Sequence, residues 1–265
     1  MKESVDTLFL NLWNDYVKHC PSSLQIHQLL TDNNEAIVND HIAFRTFNTE
    51  NLGIDRLAYH FEQLGYQAQD EYFFKEKKLY AKYYAHSNAD LPKIFISELL
   101  VQECSLFLQE KVAEMTSSID NNMTLISDFL FSGTHWKKSF VIYQELLKES
   151  EYAAWLFAFG FRVNHFTVNV NALQSIHTLI EMNDLLKKND FILNSVGGEI
   201  KGSPSVYLEQ SSTLADKVKV NFDGDIELIP ACFYEFALRY PLENGQLYQG
   251  FVEASADKIF ESTNN

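Results

Sequence analysis

Apolar residues recur every three to four positions at the start of the chain. Leu8, Leu12 and Tyr16 form one stripe, with Val5, Phe9 and Trp13 beside it. That spacing predicts a helix over residues 3–18. The turn Cys20-Pro21-Ser22-Ser23 ends it, and Ser22 or Ser23 is expected to cap a second helix running to residue 30. Residues 40–46 change to the two-residue alternation of a strand. A helix is expected over 54–64, with Leu57, Phe61 and Leu64 on one face and Gly65 as its stop. Three extended runs follow, at 71–75, 79–86 and 92–99, so the order is strand, helix, strand, strand, strand.

The alternation over residues 161–170 is two-faced. Asn164, Phe166, Val168 and Val170 fall on one side, which is apolar enough to pack under a helix. Val163, His165, Thr167 and Asn169 fall on the other, and a dry core is not lined by His, Thr and Asn in succession. That face should look into a polar cavity. An earlier copy of this strand exists: Asp40-His41-Ile42-Ala43-Phe44-Arg45 matches Asn164-His165-Phe166-Thr167-Val168-Asn169, with a histidine at the same point. After it the first pattern returns. A helix is expected over 173–188, then Phe191-Ile192-Leu193, a turn at Gly197-Gly198, and extended runs at 206–210, 217–222 and 232–240.

These patterns predict an α+β fold of two βαβββ modules with a site between them. As one functional unit over 1–265, the chain divides into N-terminal helices (1–30), a first module (31–100), a helical insert (101–160), a second module (161–245) and a C-terminal tail (246–265). Helical runs in the insert are expected at 105–115, 125–132 and 138–159. Its aromatics (Tyr152, Trp155, Phe157, Phe159) suit plain core, a lid or a dimer surface, so a homodimer stays open.

Composition removes several functions. A net charge of -15 opposes a nucleic-acid partner, because phosphate binding needs a basic surface, and it equally disfavours anionic membrane lipids. No apolar run approaches the roughly 20 residues that span a bilayer. Cys20, Cys104 and Cys232 are odd in number and widely spaced, which reads as a cytoplasmic protein with reduced thiols.

The last extended run places Tyr234, Phe236 and Leu238 on one face and Phe233, Glu235, Ala237 and Arg239 on the other. A carboxylate among apolar neighbours is costly unless a cation meets it. Beside the His165 strand, Glu235 can join His165 and His41. Two imidazoles and one carboxylate form the facial triad of non-haem Fe(II) oxygenases, and Mn, Zn, Ni or Co also suit the set. A plainer reading pairs Glu235 with Arg239 and leaves both histidines as ordinary polar residues; the pattern alone does not choose. Arg45 shares a face with His41, about 13 Å along the strand, and its fork can fold back toward a substrate carboxylate. Glu98 ends the last strand of the first module and is a candidate fourth ligand or a partner for an imidazole N–H. Lys201-Gly202-Ser203-Pro204 reads as a turn that could touch an anionic substrate. No phosphate-binding glycine loop, nucleophile elbow or dinucleotide fingerprint is present.

Four motifs together carry a resemblance: HIAFRTF, the NHFTVNV strand, GGEIKGSPSVYLEQSS and IPACFYEFALRY. Over roughly residues 24–240 the chain resembles the 2-oxoadipate dioxygenase/decarboxylase (hydroxyglutarate synthase) family of the vicinal oxygen chelate superfamily. The resemblance implies paired βαβββ modules forming a partly open barrel around a metal. It implies His41, His165 and Glu235 as Fe(II) ligands and Arg45 as the holder of a substrate carboxylate; Ser203, from the Lys201–Pro204 turn, is the further candidate for a substrate contact. It further implies conversion of 2-oxoadipate, or a related 2-oxo acid, to 2-hydroxyglutarate with O2 and loss of CO2, a step of lysine breakdown. Many members with this activity are considerably longer. Other members of the superfamily suggest a metal-dependent lyase, isomerase or hydrolase, or a non-catalytic small-molecule binder.

Overall fold

In the computed structural model, which describes residues 4–253, helix α1 (Val5–Tyr16) forms where the first apolar stripe predicts it. Its Ser4 cap accepts from the Thr7 N–H and satisfies one of the donors that a helix start leaves open. Helix α2 (Pro21–Asp32) starts earlier than expected, with Pro21 in its first turn, where a missing N–H costs nothing. Ser22 and Ser23 therefore lie inside it and neither caps it.

The strands then assemble one curled, mixed, eight-stranded sheet that forms a half-barrel, in the order β2-β3-β4-β1-β5-β10-β7-β6. The first module supplies β1 (Asn39–Phe47), helix α3 (Ile54–Glu62), β2 (Tyr66–Phe74), β3 (Leu79–His86) and β4 (Lys93–Leu99). Helices α4 (Leu106–Thr116), α5 (Phe140–Glu149) and α6 (Glu151–Phe159) follow. The second module supplies β5 (Val163–Asn169), helix α7 (Leu179–Lys188), β6 (Lys201–Ser203), β7 (Leu208–Ser212) and β10 (Phe233–Arg239). Between its last two strands a separate hairpin intervenes, β8 (Lys217–Phe222) with β9 (Asp225–Pro230).

The duplication is visible in register. β1 runs parallel to β4, β5 runs parallel to β10, and β1 meets β5 antiparallel at the centre. There His41 faces Thr167 and Ala43 faces His165, so each histidine sits opposite the residue two past the other. Ile42 and Phe166 lie on the local two-fold axis. Register shifts between Asn39 and His41 and between Ala43 and Phe44 flank this pairing, the kind of irregularity that re-aims side chains beside a site. Both modules also turn alike into their third strand: a 3-10 turn ends on a left-handed residue, Lys78 (φ 54°) in one and Tyr207 (φ 62°) in the other.

Several expectations need correction. The run 217–222 forms the outlying hairpin and not a module strand; β6 takes that place, and its three residues are too few to show alternation. The expected strand at 191–193 makes only an isolated bridge between Leu193 and Thr213. Helix α7 starts at Leu179, not 173, because Thr178 and Glu181 close a capping box there. Residues 127–131 form a 3-10 turn, and the long helix expected over 138–159 breaks at Ser150, whose backbone is extended (φ -148°) and whose hydroxyl caps α6 by accepting from the Ala153 N–H.

Packing separates the two faces of the sheet. Trp13 and Tyr16 of α1 lie against Phe166, with ring centroids 5.1 and 5.0 Å away, so the apolar face of β5 is covered as its alternation requires. Helix α6 is buried over nearly its whole length and crosses the end of the concave face, where the Tyr152 hydroxyl accepts from the Thr46 N–H. The chain leaves α6 through Gly160 (φ 67°); a Cβ there would lie 2.0 Å from the Gly133 carbonyl oxygen. Only glycine fits that approach.

Candidate metal centre

On the concave face, β1, β5 and β10 aim His41, His165 and Glu235 at one point. Each offers one ligand atom, and those atoms all lie within 4.8 Å of one another. Glu235 Oε1 is 3.5 Å from His41 Nε2, and Glu235 Oε2 is 3.3 Å from His165 Nε2. The register explains the convergence: Glu235 stands beside Thr167, which itself faces His41 across the sheet centre.

Both histidines are held by the residue before them. His41 Nδ1 lies 2.8 Å from Asp40 Oδ1, and His165 Nδ1 lies 2.9 Å from Asn164 Oδ1. A proton on each Nδ1, donated to those oxygens, leaves both Nε2 lone pairs on the Glu235 side, where that of His41 also accepts from the Thr167 hydroxyl at 3.1 Å. Phe233 stacks on the His165 ring at 4.6 Å and fixes its plane. Asp40 is itself clamped by Arg239, whose Nε and Nη2 donate to its two oxygens at 2.6 and 2.8 Å. The sequence-based pairing of Arg239 with Glu235 is thereby replaced: the guanidinium reaches Asp40, 199 residues away in the chain.

Electrostatics suit a cation. Burial pushes the Glu235 carboxyl up to about 8 even though Gln210 Nε2 donates to its Oε1 at 2.6 Å. Glu235 Oε2 is buried and has no hydrogen-bond partner among the described residues. Burial also lowers both imidazoles below the ordinary histidine value, His165 further with the help of His41 and Arg45. Burial alone would likewise raise Asp40, but the Arg239 guanidinium reverses this and holds it well below the usual carboxylate range. Neutral imidazoles and one carboxylate with an orphaned oxygen are the donor set that a divalent first-row metal takes. The residues fit.

Arg45 lines the same cavity from β1 and is buried. Its Nη1 donates to Glu151 Oε1 at 3.2 Å, and its guanidinium lies 4.9 Å over the Tyr152 ring and 5.1 Å over Trp155. The other two candidates lie elsewhere. Glu98 points to the opposite side of β4, where its Oε2 accepts from the Ile54 N–H at 2.8 Å at the start of α3. There it lines an open surface groove of about 500 Å³, larger than the metal cavity but remote from it. Its neighbour Ser97 faces the cavity instead. Ser203 ends the edge strand β6, where its hydroxyl pairs with Ser205 Oγ at 2.7 Å; it does not line the cavity. Sequence reasoning missed Asp40, Asn164, Gln210 and Phe251. Asp40 and Asn164 carried a signal, since both precede the repeated histidine; Gln210 gave none.

A half-barrel of paired βαβββ modules is the fold of the vicinal oxygen chelate type, and the two histidines and the glutamate on its concave face offer a donor set for a metal ion. A crystal structure of a glyoxalase superfamily protein from Ralstonia eutropha shares this fold, with a TM-score of 0.77 over 92% of this chain and 84% of the other at 20% identity. The chain belongs to the 2-oxoadipate dioxygenase/decarboxylase family, whose sequence profile matches residues 10–135 and 129–246. It is 35% identical to the chloroplastic 2-oxoadipate dioxygenase/decarboxylase of Arabidopsis thaliana, over 94% of this chain and 74% of the relative. The crystal structure of hydroxyglutarate synthase from Oryza sativa in complex with 2-oxoadipate is 35% identical, covers 98% of this chain and 91% of the other, and superposes with a TM-score of 0.88. A structure described as a hydrolase from Shewanella frigidimarina is 50% identical, with a TM-score of 0.91 over 96% and 99% of the two chains.

Proposed function

We propose that this chain is an Fe(II)-dependent dioxygenase/decarboxylase that converts 2-oxoadipate, or a related 2-oxo acid, to 2-hydroxyglutarate with consumption of O2 and release of CO2. The convergence of His41 Nε2, His165 Nε2 and the Glu235 carboxylate carries the reading, together with membership of the family. One atom of O2 enters the new carboxylate and the other the new hydroxyl, so the equation balances without a second reductant. Three protein ligands leave positions open, and bound iron(II) would offer them to a chelating 2-oxo acid and to O2 and would relay to O2 the electrons that oxidation of the substrate provides.

The chain's own residues do the rest. Asp40 and Asn164 keep the proton on each Nδ1 and so hold both Nε2 atoms as donors. Gln210 fixes the rotation of the Glu235 carboxylate. Asn164 Nδ2 and Gln210 Oε1 are buried without a hydrogen-bond partner among the described residues, which leaves the Asn164 amide N–H to donate to an oxygen of the substrate and the Gln210 carbonyl oxygen to accept from a water or from the hydroxyl of the product. Arg45 holds the distal carboxylate of a diacid, stacked on Tyr152 and Trp155 so that its fork is already oriented. Ala43, Phe44, Phe95 and Phe251 wall the cavity against water. The three buried free cysteines support a reducing compartment such as the cytoplasm for this chemistry.

The test is anaerobic loading of the protein with Fe(II), addition of 2-oxoadipate, and measurement of O2 uptake with 2-hydroxyglutarate formation. Coupled uptake and product are expected. No uptake in iron-loaded protein would overturn the substrate, and failure with a panel of 2-oxo acids would turn the reading toward Lewis-acid lyase, isomerase or hydrolase chemistry. Arg45→Ala should retain metal and raise the KM for the diacid by roughly tenfold or more.

A further inference from the structure

The cavity over the three ligands has a volume of about 20 Å³. That is room for about one water and not for a six-carbon diacid, so a wall must move before anything larger reaches the ligands. The residues of β1, β4, β5, β7 and β10 supply every lining side chain but one. Those strands are hydrogen-bonded into the sheet on both sides, and shifting one would break a ladder. The exception is Phe251, which comes from beyond the last strand, in the stretch expected to be a tail.

Phe251 is seated against the site. Its ring meets His41 edge-on at 4.9 Å and lies 4.9 Å from Phe95 and 5.3 Å from Tyr83. Few contacts fix its backbone: its N–H donates to the Tyr72 hydroxyl at 3.0 Å, and its carbonyl accepts from the Tyr248 hydroxyl at 3.1 Å. The main anchor is Arg239. Its Nη1 donates to the carbonyls of Tyr248 and Gly250 at 3.0 and 2.8 Å, and its guanidinium carbon lies 5.3 Å from the centre of the Phe251 ring. The other two nitrogens of the same guanidinium clamp Asp40, which orients His41. One side chain thus holds both the removable wall and the aspartate that positions a ligand.

We propose that Phe251 is the movable wall of the metal cavity and that Arg239 is a positioning residue that couples the seating of this wall to the orientation of His41 through Asp40. The inference rests on the metal-centre reading above and not on the identity of the substrate. Co(II) serves as the probe because its visible absorption reports ligand geometry, and uptake by metal-free protein can be followed by stopped flow. With a minor open state of a few per cent, Phe251→Ala is expected to take up and release Co(II) about tenfold faster or more, with the dissociation constant little changed. Arg239→Lys is expected to speed uptake likewise. Unlike Phe251→Ala, it should also alter the Co(II) spectrum and weaken binding by about tenfold, because Asp40 loses its two-point clamp.

Uptake by Phe251→Ala at the unaltered rate would overturn the movable wall. An unaltered spectrum and dissociation constant in Arg239→Lys would overturn the coupling. If Arg239→Lys does not fold, two variants decide in its place: Tyr248→Phe should speed uptake without touching Asp40, and an unchanged rate counts against the wall, while Asp40→Asn, folded by circular dichroism, should speed uptake as the Arg239 anchor loosens, and an unchanged rate overturns the coupling. Failure of the unaltered protein to bind Co(II) at all would overturn the metal centre itself, and this inference with it.

Discussion

The two halves share one strand frame and fill it differently. Where β10 places Glu235 beside the residue two past His165, β4 places Phe95 beside the residue two past His41. The first half contributes a histidine and an apolar wall; the second contributes a histidine and a carboxylate. The residues before the histidines differ in the same spirit. Asp40 is charged and locked by Arg239, whereas Asn164 is neutral and keeps a free amide. Duplication alone would give four ligands around a closed ion. With Phe95 in one of those places, three candidate ligands remain, with one face for exogenous molecules and a hydrophobic side from which water is excluded.

The largest effect should come from breaking the polar side of this comparison. His165→Ala and Glu235→Ala are each expected to weaken Fe(II) or Co(II) binding by more than about a hundredfold with the fold intact by circular dichroism. Phe95→Leu should leave metal affinity within a few-fold. If either ligand variant holds metal as the unaltered protein does, that ligand is wrongly assigned. The next effect separates the two orienting residues. Asp40→Asn leaves the buried Arg239 without its counter-charge and should destabilise the metal-free protein by about 3–5 kcal/mol, whereas Asn164→Ala should cost about 1 kcal/mol. Equal midpoints in urea unfolding would show that the two halves do not differ as described.

Glu235 adds a pH signature that Phe95 cannot have. Its carboxyl moves from an ordinary 4.5 to about 8 in the folded, metal-free protein, so the folded state binds this proton more tightly than the unfolded state. Its contribution to stability is therefore complete below pH 4.5 and is lost as the pH rises toward 8. Thermal unfolding of metal-free protein should show a loss across that window relative to Glu235→Gln, which has no proton to lose. Saturating metal should remove the difference, since the cation then meets the carboxylate. Parallel curves for the two proteins would place the Glu235 titration elsewhere.

How far the site could be read in advance depended on direction and distance. Alternation tells which way a strand side chain points, and it placed His41, His165 and Glu235 on one face of their strands. It says nothing about which strand will lie alongside. The Arg239–Asp40 clamp spans 199 residues, and no local pattern announces it. Gln210 sits on a strand whose role appears only once β7 pairs with β10. Phe251 follows the last predicted strand, where a glycine-rich, polar stretch looks like a tail until Arg239 ties it down. The outlying β8–β9 hairpin misled for the opposite reason: its alternation is genuine, but its face packs against α5 residues such as Phe140 and Tyr143 and not in the half-barrel.

Glu98 failed by parity, and it sharpens the comparison most finely. In register with β10 it corresponds to Leu238, not to Glu235, and so lies on the outer face. There it accepts the Ile54 N–H of a helix whose own cap, Gly53, offers no side chain. Burial raises its carboxyl above the usual value, while the Ile54 hydrogen bond opposes the rise. Two carboxylates on matching strands thus stand in unrelated places, one in the candidate metal centre and one as a helix cap supplied from outside the helix. Glu98→Ala should lower stability by about 1 kcal/mol, the ordinary worth of such a cap, and shift the melting temperature by about 2–4 °C. Metal affinity should not move. Loss of metal in this variant, at unchanged stability, would mean that the carboxylate reaches the centre after all and that the first half supplies a second ligand.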